Sequence, residues 1–198
     1  RLRPNGNSGM LVITLTAFEQ YQRENAWTWE HQALVRARPV AGDPAIGAAF
    51  EKVRHTILAA PRDKEKLRTE VVDMREKMRG HLGTKPGERV GKFHLKQDPG
   101  GIVDIEFLVQ YQVLRYASDC ADLMEFTDNM RILDAIGRNQ LLPEDDVTAL
   151  QQAYVYYRSL GHRLSLQGAP SVVELAGNEE LAGYRQQVAG IWGQCFSG

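Results

Sequence analysis

Residues 102–116 read IVDIEFLVQYQVLRY, a segment that is apolar on nearly every side when it is drawn as a helix. A helix that lacks a polar face is buried by neighbouring elements, so this segment is predicted to be the central helix of the fold. Asp104 and Glu106 lie about 200° apart around its axis, so in a buried helix they cannot both face solvent. At least one of these carboxylates needs a buried partner, because an unpaired buried charge is very costly.

Helical signals continue on both sides of this segment. Asp43-Pro44 joins an N-cap residue to a proline at the first helical position, and Pro143 is followed by three acids that suit a helix N-terminus. The predicted helices run from Thr14 or Thr16 to about Asn25, over 28–37, from Pro44 to before Pro61, from Asp63 to about His81, over 102–116, from Thr127 or Asp128 to about Asn139, from Pro143 to Leu166 and over 179–196. A short extended segment is predicted within 90–95. The sequence therefore predicts a mainly α protein, a bundle of about eight helices.

The composition excludes several classes of protein. The chain has 198 residues, with 24 Lys and Arg against 25 Asp and Glu, and this balance removes the electrostatic case for binding nucleic acid or an anionic membrane. No run approaches the roughly 20 apolar residues of a membrane span, and no signal peptide opens the chain. Cys120 and Cys195 are too few for a disulfide framework. We expect a soluble, cytoplasmic protein with neither nucleic acid nor a membrane among its partners.

The block KQDPGGIVDIEF at 96–107 is the strongest candidate for a binding site. Its double glycine gives the backbone room to approach a ligand, and a helix N-terminus follows directly. The block supplies six candidate ligand-binding residues: Lys96, Asp98, Gly100, Gly101, Asp104 and Glu106. The alternative is that the helix dipole stabilises each acid by about 0.3–1 kcal/mol and that a structural arginine is their partner.

Residues 27–38 form a second cluster, in which Trp27, Trp29 and Glu30 precede Arg36 and Arg38. The two arginines suit bidentate binding of a phosphate group. Alternatively, the tryptophans belong to the core and Glu30 pairs with an arginine that fixes their packing. Composition alone favours the core interpretation.

The first residues of the chain give a weaker indication of phosphate binding. Arg1 and Arg3 alternate on a predicted strand and so point to one side of it, next to a loop shaped by Gly6 and Gly9. Two guanidinium groups beside a glycine loop suit a polyphosphate, although paired arginines are also common on ordinary surfaces. The five histidines have no metal-ligand spacing, and no Walker A loop or dinucleotide fingerprint occurs. No metal ligands are therefore predicted in this chain.

Five motifs in this order resemble one family. They are RLRPxGxxG at 1–9, AWTWEHQALVRAR at 26–38, REKMR at 75–79, KQDPGGIVDIEF at 96–107 and TDNMRIL at 127–133. Together they are similar to the bifunctional glutamine synthetase adenylyltransferase/adenylyl-removing enzymes of bacteria, and the second and fifth look like the C-terminal, adenylylating half. The similarity covers essentially the whole chain.

The resemblance implies a domain organisation and a reaction. Each half of such an enzyme has a nucleotidyltransferase α/β domain followed by a helical domain, so we expect the C-terminal remnant of the first over residues 1–60 and the helical bundle over 61–198. The reaction transfers AMP from ATP to a tyrosine of glutamine synthetase, regulating nitrogen assimilation under control of a PII-type signal protein. It requires Mg²⁺ held by carboxylates.

Those metal-binding carboxylates come from a Gly-Ser-x-x-Asp-x-Asp segment and from an Asp two residues before the position of Arg1, and neither is present here. The chain is thus expected to be a fragment that is inactive by itself. By resemblance, Arg1 and Arg3 contact nucleotide phosphates, and Gly6 and Gly9 shape the adjoining loop. The resemblance also implies that the six candidate residues of the block at 96–107 form the helical domain's wall of the active cleft and orient the nucleotide or substrate. The alternative is a helical interaction module that docks glutamine synthetase or the signal protein without binding nucleotide.

A cleft role for the two acids has a measurable consequence. In the full-length enzyme, Asp104→Ala or Glu106→Ala is expected to lower adenylylation by about tenfold or more while the thermal midpoint stays nearly unchanged. A large fall in the midpoint would instead identify the acids as structural.

Overall fold

Helices account for most of the residues that the structure describes. The computed structural model describes residues 9–10, 12–84 and 90–197. Their eight helices are α1 (Leu15–Glu24), α2 (Thr28–Val35), α3 (Pro44–Leu58), α4 (Lys64–Leu82), α5 (Ile102–Tyr116), α6 (Asn129–Arg138), α7 (Glu144–Leu166) and α8 (Glu179–Phe196), and the two strands are β1 (Lys92–His94) and β2 (Val172–Glu174). The predicted mainly α fold is confirmed. Within the described ranges, no helix combines the length and the apolar character that crossing a bilayer requires.

The helix starts are set by side-chain caps that the sequence already indicated. Thr14 Oγ1 accepts from the amide of Ala17 at 3.2 Å, and Asp43 Oδ1 accepts from the amide of Ala45 at 2.7 Å. Asp128 rather than Thr127 caps α6, since its carboxylate accepts from the amide of Arg131 at 3.0 Å. These caps satisfy amides that have no partner within the helix, and the predicted starts are confirmed.

Helix α2 ends two residues earlier than predicted because a buried arginine takes its last carbonyls. Arg54 from α3 is 1% exposed and donates from Nε to Leu34 O at 3.1 Å and from Nη2 to Val35 O at 2.7 Å. Its Nη1 donates to Met124 O at 2.8 Å, at the end of a short 3-10 helix, Ala121–Met124. One guanidinium therefore satisfies carbonyls at the ends of two elements.

The two strands form an antiparallel pair in which Phe93 lies opposite Val173. Phe93 is fully buried and its ring centroid lies 5.8 Å from that of Tyr157 in α7. A two-stranded ribbon is stable only when it packs on something else, and this aromatic contact supplies that support. Sequence patterning did not predict β2, since three residues are too few to show a period of two.

The chain comprises two compact units that are interleaved in sequence. The first contains the described residues up to Val71 together with Gln110–Ala135, and the second contains Val72–Val109 and the described residues from Ile136 onwards. The boundaries fall inside α4, α5 and α6. The predicted division into domains at 1–60 and 61–198 is not tested by these units and stays a prediction.

Helix α5 is buried along its length, as its composition predicted. Only Glu106, Arg115 and Tyr116 are partly exposed, and every other residue from Ile102 onwards is buried. Ile105, Leu108 and Val109 have no exposed surface at all. Asp104 is therefore placed in an apolar environment by the helix itself.

Candidate functional site

The candidate site is the loop Leu95–Gly101, which lies in the second unit between β1 and α5. Its backbone folds back on the helix, so the amides of Ile102 and Val103 donate to the carbonyls of Leu95 and Lys96 at 2.9 and 3.1 Å. The next two amides of α5 both donate to Gly101 O. The first turn of α5 therefore already has partners for all four amides that a helix N-terminus would offer to an anion.

Asp98 fastens this loop from inside. Its side chain is 2% exposed, and its carboxylate accepts from the amide and hydroxyl of Thr84 at 3.0 and 2.8 Å and from the amide of His94 at 2.8 Å. The ring Nδ1 of His94 in turn accepts from the amides of Lys96 and Gln97 at 3.2 and 3.4 Å. These bonds hold the start of the loop against the end of β1.

Asp104 holds the other end of the loop and is 1% exposed. Its Oδ1 accepts from Arg75 Nε at 2.6 Å and from Arg79 Nη2 at 3.0 Å, and its Oδ2 accepts from the amide of Gly100 at 2.7 Å. Arg75, itself fully buried, also donates to Gln97 O at 2.7 Å. Burial lowers the pKa of Arg75, and the adjacent carboxylate of Asp104 opposes that shift.

This geometry supplies the buried partner that the sequence required for at least one acid. Arg75 and Arg79 are four residues apart in α4 and so lie on one side of that helix, facing Asp104. Glu106 is half-buried and has partners of its own. For Asp104, the structural-arginine alternative raised by the sequence is the arrangement observed, while a role toward a ligand stays a prediction.

The two glycines make room for the protein's own backbone. Gly100 has a φ of +84°, and a Cβ there would lie 2.3 Å from the carbonyl oxygen of Arg185. A Cβ on Gly101 would lie 2.7 Å from Leu95 O. The space that the sequence assigned to a ligand is thus occupied at both positions by carbonyl groups of this chain.

Helices α7 and α8 hold the same glycine turn from outside. Tyr157 donates its hydroxyl to Gly100 O at 3.0 Å, and burial raises the pKa of Tyr157. Arg185 donates from Nε to Pro99 O at 3.3 Å and stacks over the ring of Phe93 at 5.3 Å. Sequence reasoning missed both residues, because neither lies in a motif or near the loop in the chain.

The remaining candidate binding residues lie on the loop, in the first unit or outside the described residues. Lys96 is exposed on the loop, with its backbone engaged by His94 and Val103. Arg1, Arg3 and Gly6 lie outside the described residues. Gly9 is described and belongs to the first unit, whereas the loop belongs to the second. Their predicted nucleotide-binding roles stay predictions.

The tryptophan cluster is not the core that the composition favoured. Trp27 is 72% exposed and Trp29 is 38% exposed, so that interpretation is wrong. The buried residue of the cluster is Glu30, whose carboxylate accepts from the amide of Trp27 at 2.9 Å and from the hydroxyl of Tyr21 at 3.0 Å. The acid thereby closes the first turn of α2, while the rings that flank it face outward.

The part of the chain that the structure describes contains no preformed cluster of metal-ligating side chains. Across residues 9–10, 12–84 and 90–197, no three His, Cys, Asp or Glu side chains converge as a set of metal ligands. The two buried acids of the loop, Asp98 and Asp104, are occupied by amides, a hydroxyl and guanidinium groups. They do not fit a Mg²⁺ site, which needs carboxylate oxygens open to the ion.

Two family models match separate parts of the chain. The model described as glutamate-ammonia ligase adenylyltransferase matches residues 1–53, and the model described as GlnD PII-uridylyltransferase matches residues 72–194. The second match contains the whole candidate loop and the residues of α4, α5, α7 and α8 that hold it, including Arg75, Asp104, Tyr157 and Arg185.

Relatives match across the whole chain. A protein of Hahella chejuensis named bifunctional glutamine synthetase adenylyltransferase/adenylyl-removing enzyme is 51% identical over 100% of this chain and 20% of its own length. Proteins of the same name from Pseudomonas aeruginosa and Thioalkalivibrio sulfidiphilus are each 50% identical over 97% of the chain, and over 20% and 19% of their own lengths. The chain thus spans about a fifth of the length of these curated relatives. It belongs to the family of the bifunctional glutamine synthetase adenylyltransferase/adenylyl-removing enzymes, and its residues 72–194 also belong to the GlnD PII-uridylyltransferase family.

Proposed function

We propose that the chain is part of a nucleotidyltransferase that moves AMP from ATP to a tyrosine of glutamine synthetase and so regulates nitrogen assimilation. The observation that carries this proposal is the identity of about 50% along the whole chain to enzymes named for adenylylating glutamine synthetase. The matched stretch covers the loop and the helices that hold it, which supports a common architecture around the site. The protein acts in the cytoplasm under the control of a PII-type signal protein.

Within that enzyme, the loop Leu95–Gly101 presents residues toward the nucleotide or the protein substrate. On this proposal, exposed Lys96 and half-buried Glu106 are the side chains that meet them. Asp98 and Asp104 act as positioning residues, since their carboxylates hold the loop and the start of α5. A rigid loop keeps an exposed cation in one place, and that lowers the entropy lost on binding a phosphate.

Mg²⁺ and ATP are the cofactors of the proposed reaction, and the ion would polarise the α-phosphate of the nucleotide. The acids of the loop do not fit the ion, so its ligands belong to carboxylates outside the described residues. We therefore propose that the 198-residue chain has no transferase activity alone.

Calorimetric titration with ATP and magnesium tests this proposal. The titration is made on the 198-residue chain and on a polypeptide that extends it upstream through the expected metal-binding carboxylates. Binding that appears only in the extended protein, together with transfer of labelled AMP to glutamine synthetase, is the expected result. Failure of both proteins to bind ATP would overturn it.

A docking role without nucleotide binding is the second candidate. The observation in its favour is the engagement of Asp98 and Asp104 by the protein itself, which leaves the loop a structural element. On this alternative, the chain binds glutamine synthetase or a PII-type protein, and the extended protein does not bind ATP. Titrating the chain with each purified protein separates the candidates, and Lys96→Ala, exposed on the loop, then identifies the surface used.

A further inference from the structure

The peptide group between Gly100 and Gly101 is held at both of its ends. Its carbonyl oxygen, Gly100 O, accepts from the hydroxyl of Tyr157 at 3.0 Å. Its N–H, on Gly101, donates to Asp98 O at 3.0 Å. A peptide group is planar, so one partner at each end fixes the direction in which the whole group points.

This peptide has more freedom to reverse than others in the loop. A peptide group reverses when ψ of the residue before it and φ of the residue after it change together. Side chains with a Cβ forbid most such changes, but Gly100 and Gly101 have none, and they are the only consecutive glycines in the sequence. The hydrogen bonds, and not the local backbone, therefore decide the direction of this peptide.

The donor of one of these bonds is itself fixed by packing. Tyr157 is fully buried, and its ring centroid lies 5.8 Å from that of Phe93 in β1 and 6.5 Å from that of Tyr184 in α8. Burial raises the pKa of Tyr157, so its hydroxyl keeps its proton and remains a donor. The carbonyl of Gly100 is thus held by a group that has little room to move.

The direction of this peptide matters for both sides of the site. Gly101 O accepts from the amides of Asp104 and Ile105 at 3.1 and 3.4 Å, so Gly101 anchors the first turn of α5. The N–H of the same residue bonds to Asp98, whose carboxylate holds the start of the loop against the end of β1. Reversing the peptide would break the bond to Asp98 O and separate the loop from the helix start.

We propose that Tyr157 is a positioning residue of the site at 95–101, whose hydroxyl selects one direction of the Gly100–Gly101 peptide and so keeps Lys96 in place. The role of Lys96 toward a nucleotide or protein substrate rests on the proposed function, whereas the selection of the peptide direction does not. Tyr157 is fully buried and acts only through the backbone of the loop.

Amide hydrogen exchange, followed by NMR in the 198-residue chain, tests the selection of the peptide direction. Tyr157→Phe is compared with Tyr156→Phe, a neighbour on α7 that is half-buried and whose hydroxyl donates to Asn178 Oδ1 at 3.4 Å. Each variant loses one hydroxyl and keeps its ring. We expect the amide of Gly101 to exchange at least about tenfold faster in Tyr157→Phe and at the wild-type rate in Tyr156→Phe.

Kinetics in the upstream-extended protein test the positioning of Lys96. With transfer of labelled AMP as the assay, Tyr157→Phe is expected to lower kcat/KM by at least about tenfold and to raise the KM for ATP or for glutamine synthetase. Tyr156→Phe is expected to keep the wild-type values. A merely structural loss would reduce the amount of active protein and leave KM unchanged, so the rise in KM identifies a positioning role.

Two outcomes would overturn the proposal. Unchanged exchange of the Gly101 amide in Tyr157→Phe would mean that its hydroxyl does not select the peptide direction. Faster exchange together with unchanged KM values, in an extended protein that transfers AMP, would mean that the hydroxyl positions nothing for a ligand. If the unaltered extended protein transfers no AMP, the proposed function fails instead, and faster exchange would still confirm that Tyr157 selects the peptide direction.

Discussion

Arg75 donates from Nε to Oδ1 of Asp104 at 2.6 Å, and neither side chain is more than 1% exposed. The two residues are 29 positions apart, on α4 and α5. The pair joins these helices, and through Gln97 O and the amide of Gly100 it also fixes both halves of the candidate loop. A buried pair of this kind is costly to break, because the partner left behind is a buried, uncompensated charge.

Removing the acid is expected to destabilise the protein. Asp104→Ala leaves Arg75 without its carboxylate and should lower the free energy of unfolding by about 3–5 kcal/mol. For a chain of this size, a loss of about 3 kcal/mol corresponds to a thermal midpoint about 6–12 °C lower. The sequence alone predicted a nearly unchanged thermal midpoint for Asp104→Ala, whereas the buried ion pair predicts a lower one. The control is Arg23→Ala, which breaks an exposed pair with Glu19 and should cost less than about 1 kcal/mol. Equal midpoints for the two variants would contradict the structural role.

The glycine turn can be tested with a matched series of alanine substitutions. Gly100→Ala meets a positive φ and a carbonyl oxygen 2.3 Å from the new Cβ, so it should cost more than about 2 kcal/mol. Gly168→Ala meets a φ of +66° with open space, and should cost about 1–2 kcal/mol. Gly183→Ala, in α8 with no atom near the Cβ, should stabilise by about 0.5–1 kcal/mol. Chemical denaturation measures all three, and a Gly100→Ala cost no greater than that of Gly168→Ala would refute the close backbone contact.

Stability is expected to fall in mild acid through His31. Its Nε2 lies 3.0 Å from Gln22 O and its Nδ1 lies 3.3 Å from Arg62 Nη2, an arrangement that suits a neutral ring with its proton on Nε2. Burial lowers the pKa of His31 below 6.5, and the charge of Arg62 adds to the shift, while the hydrogen bond to Gln22 and the charges of Glu30 and Glu70 oppose it. The unfolded chain therefore binds the proton more readily than the folded protein, so this stabilisation is complete above pH 6.5 and is lost as the pH falls towards the pKa of the folded state.

Denaturation at about pH 7.5 and about pH 5.5 measures this effect. The wild-type chain should lose more stability over that interval than His31→Gln, since glutamine does not titrate. His55→Gln, at an exposed position of α3, serves as the control and should keep the wild-type slope. An unchanged slope in His31→Gln would show that other groups carry the pH dependence.

The end of α2 depends on the shape of one side chain. Arg54→Lys keeps the positive charge but cannot donate to Leu34 O, Val35 O and Met124 O at the same time. Carbonyls left buried without donors cost about 1–3 kcal/mol each, so we expect Arg54→Lys to lower the free energy of unfolding by at least about 2 kcal/mol. Arg23→Lys, at an exposed position, should change it by less than about 0.5 kcal/mol. Similar unfolding midpoints in urea for both variants would mean that the positive charge of Arg54 stabilises the protein and that its several hydrogen-bond donors do not.

Most of the secondary structure could be predicted from local chemistry. Asp43 followed by Pro44 fixes the start of α3, and Asn178 caps α8 by accepting from the amide of Leu181. Helix α5 was predicted with the bounds that it has, since its apolar run ends abruptly on both sides. Caps and apolar runs act over a few residues, so they can be read directly from the chain.

The sequence by itself determined that this protein is helical, where its helices begin, and that an acid in a buried helix must find a partner. Only the tertiary structure decided that the partners of Asp104 are Arg75 and Arg79, that Arg185 O fills the space beside Gly100, and that Trp27 faces outward. The reason is physical: helix signals depend on neighbouring residues, whereas burial and ion pairing depend on groups that meet only after α4, α5 and α8 have packed.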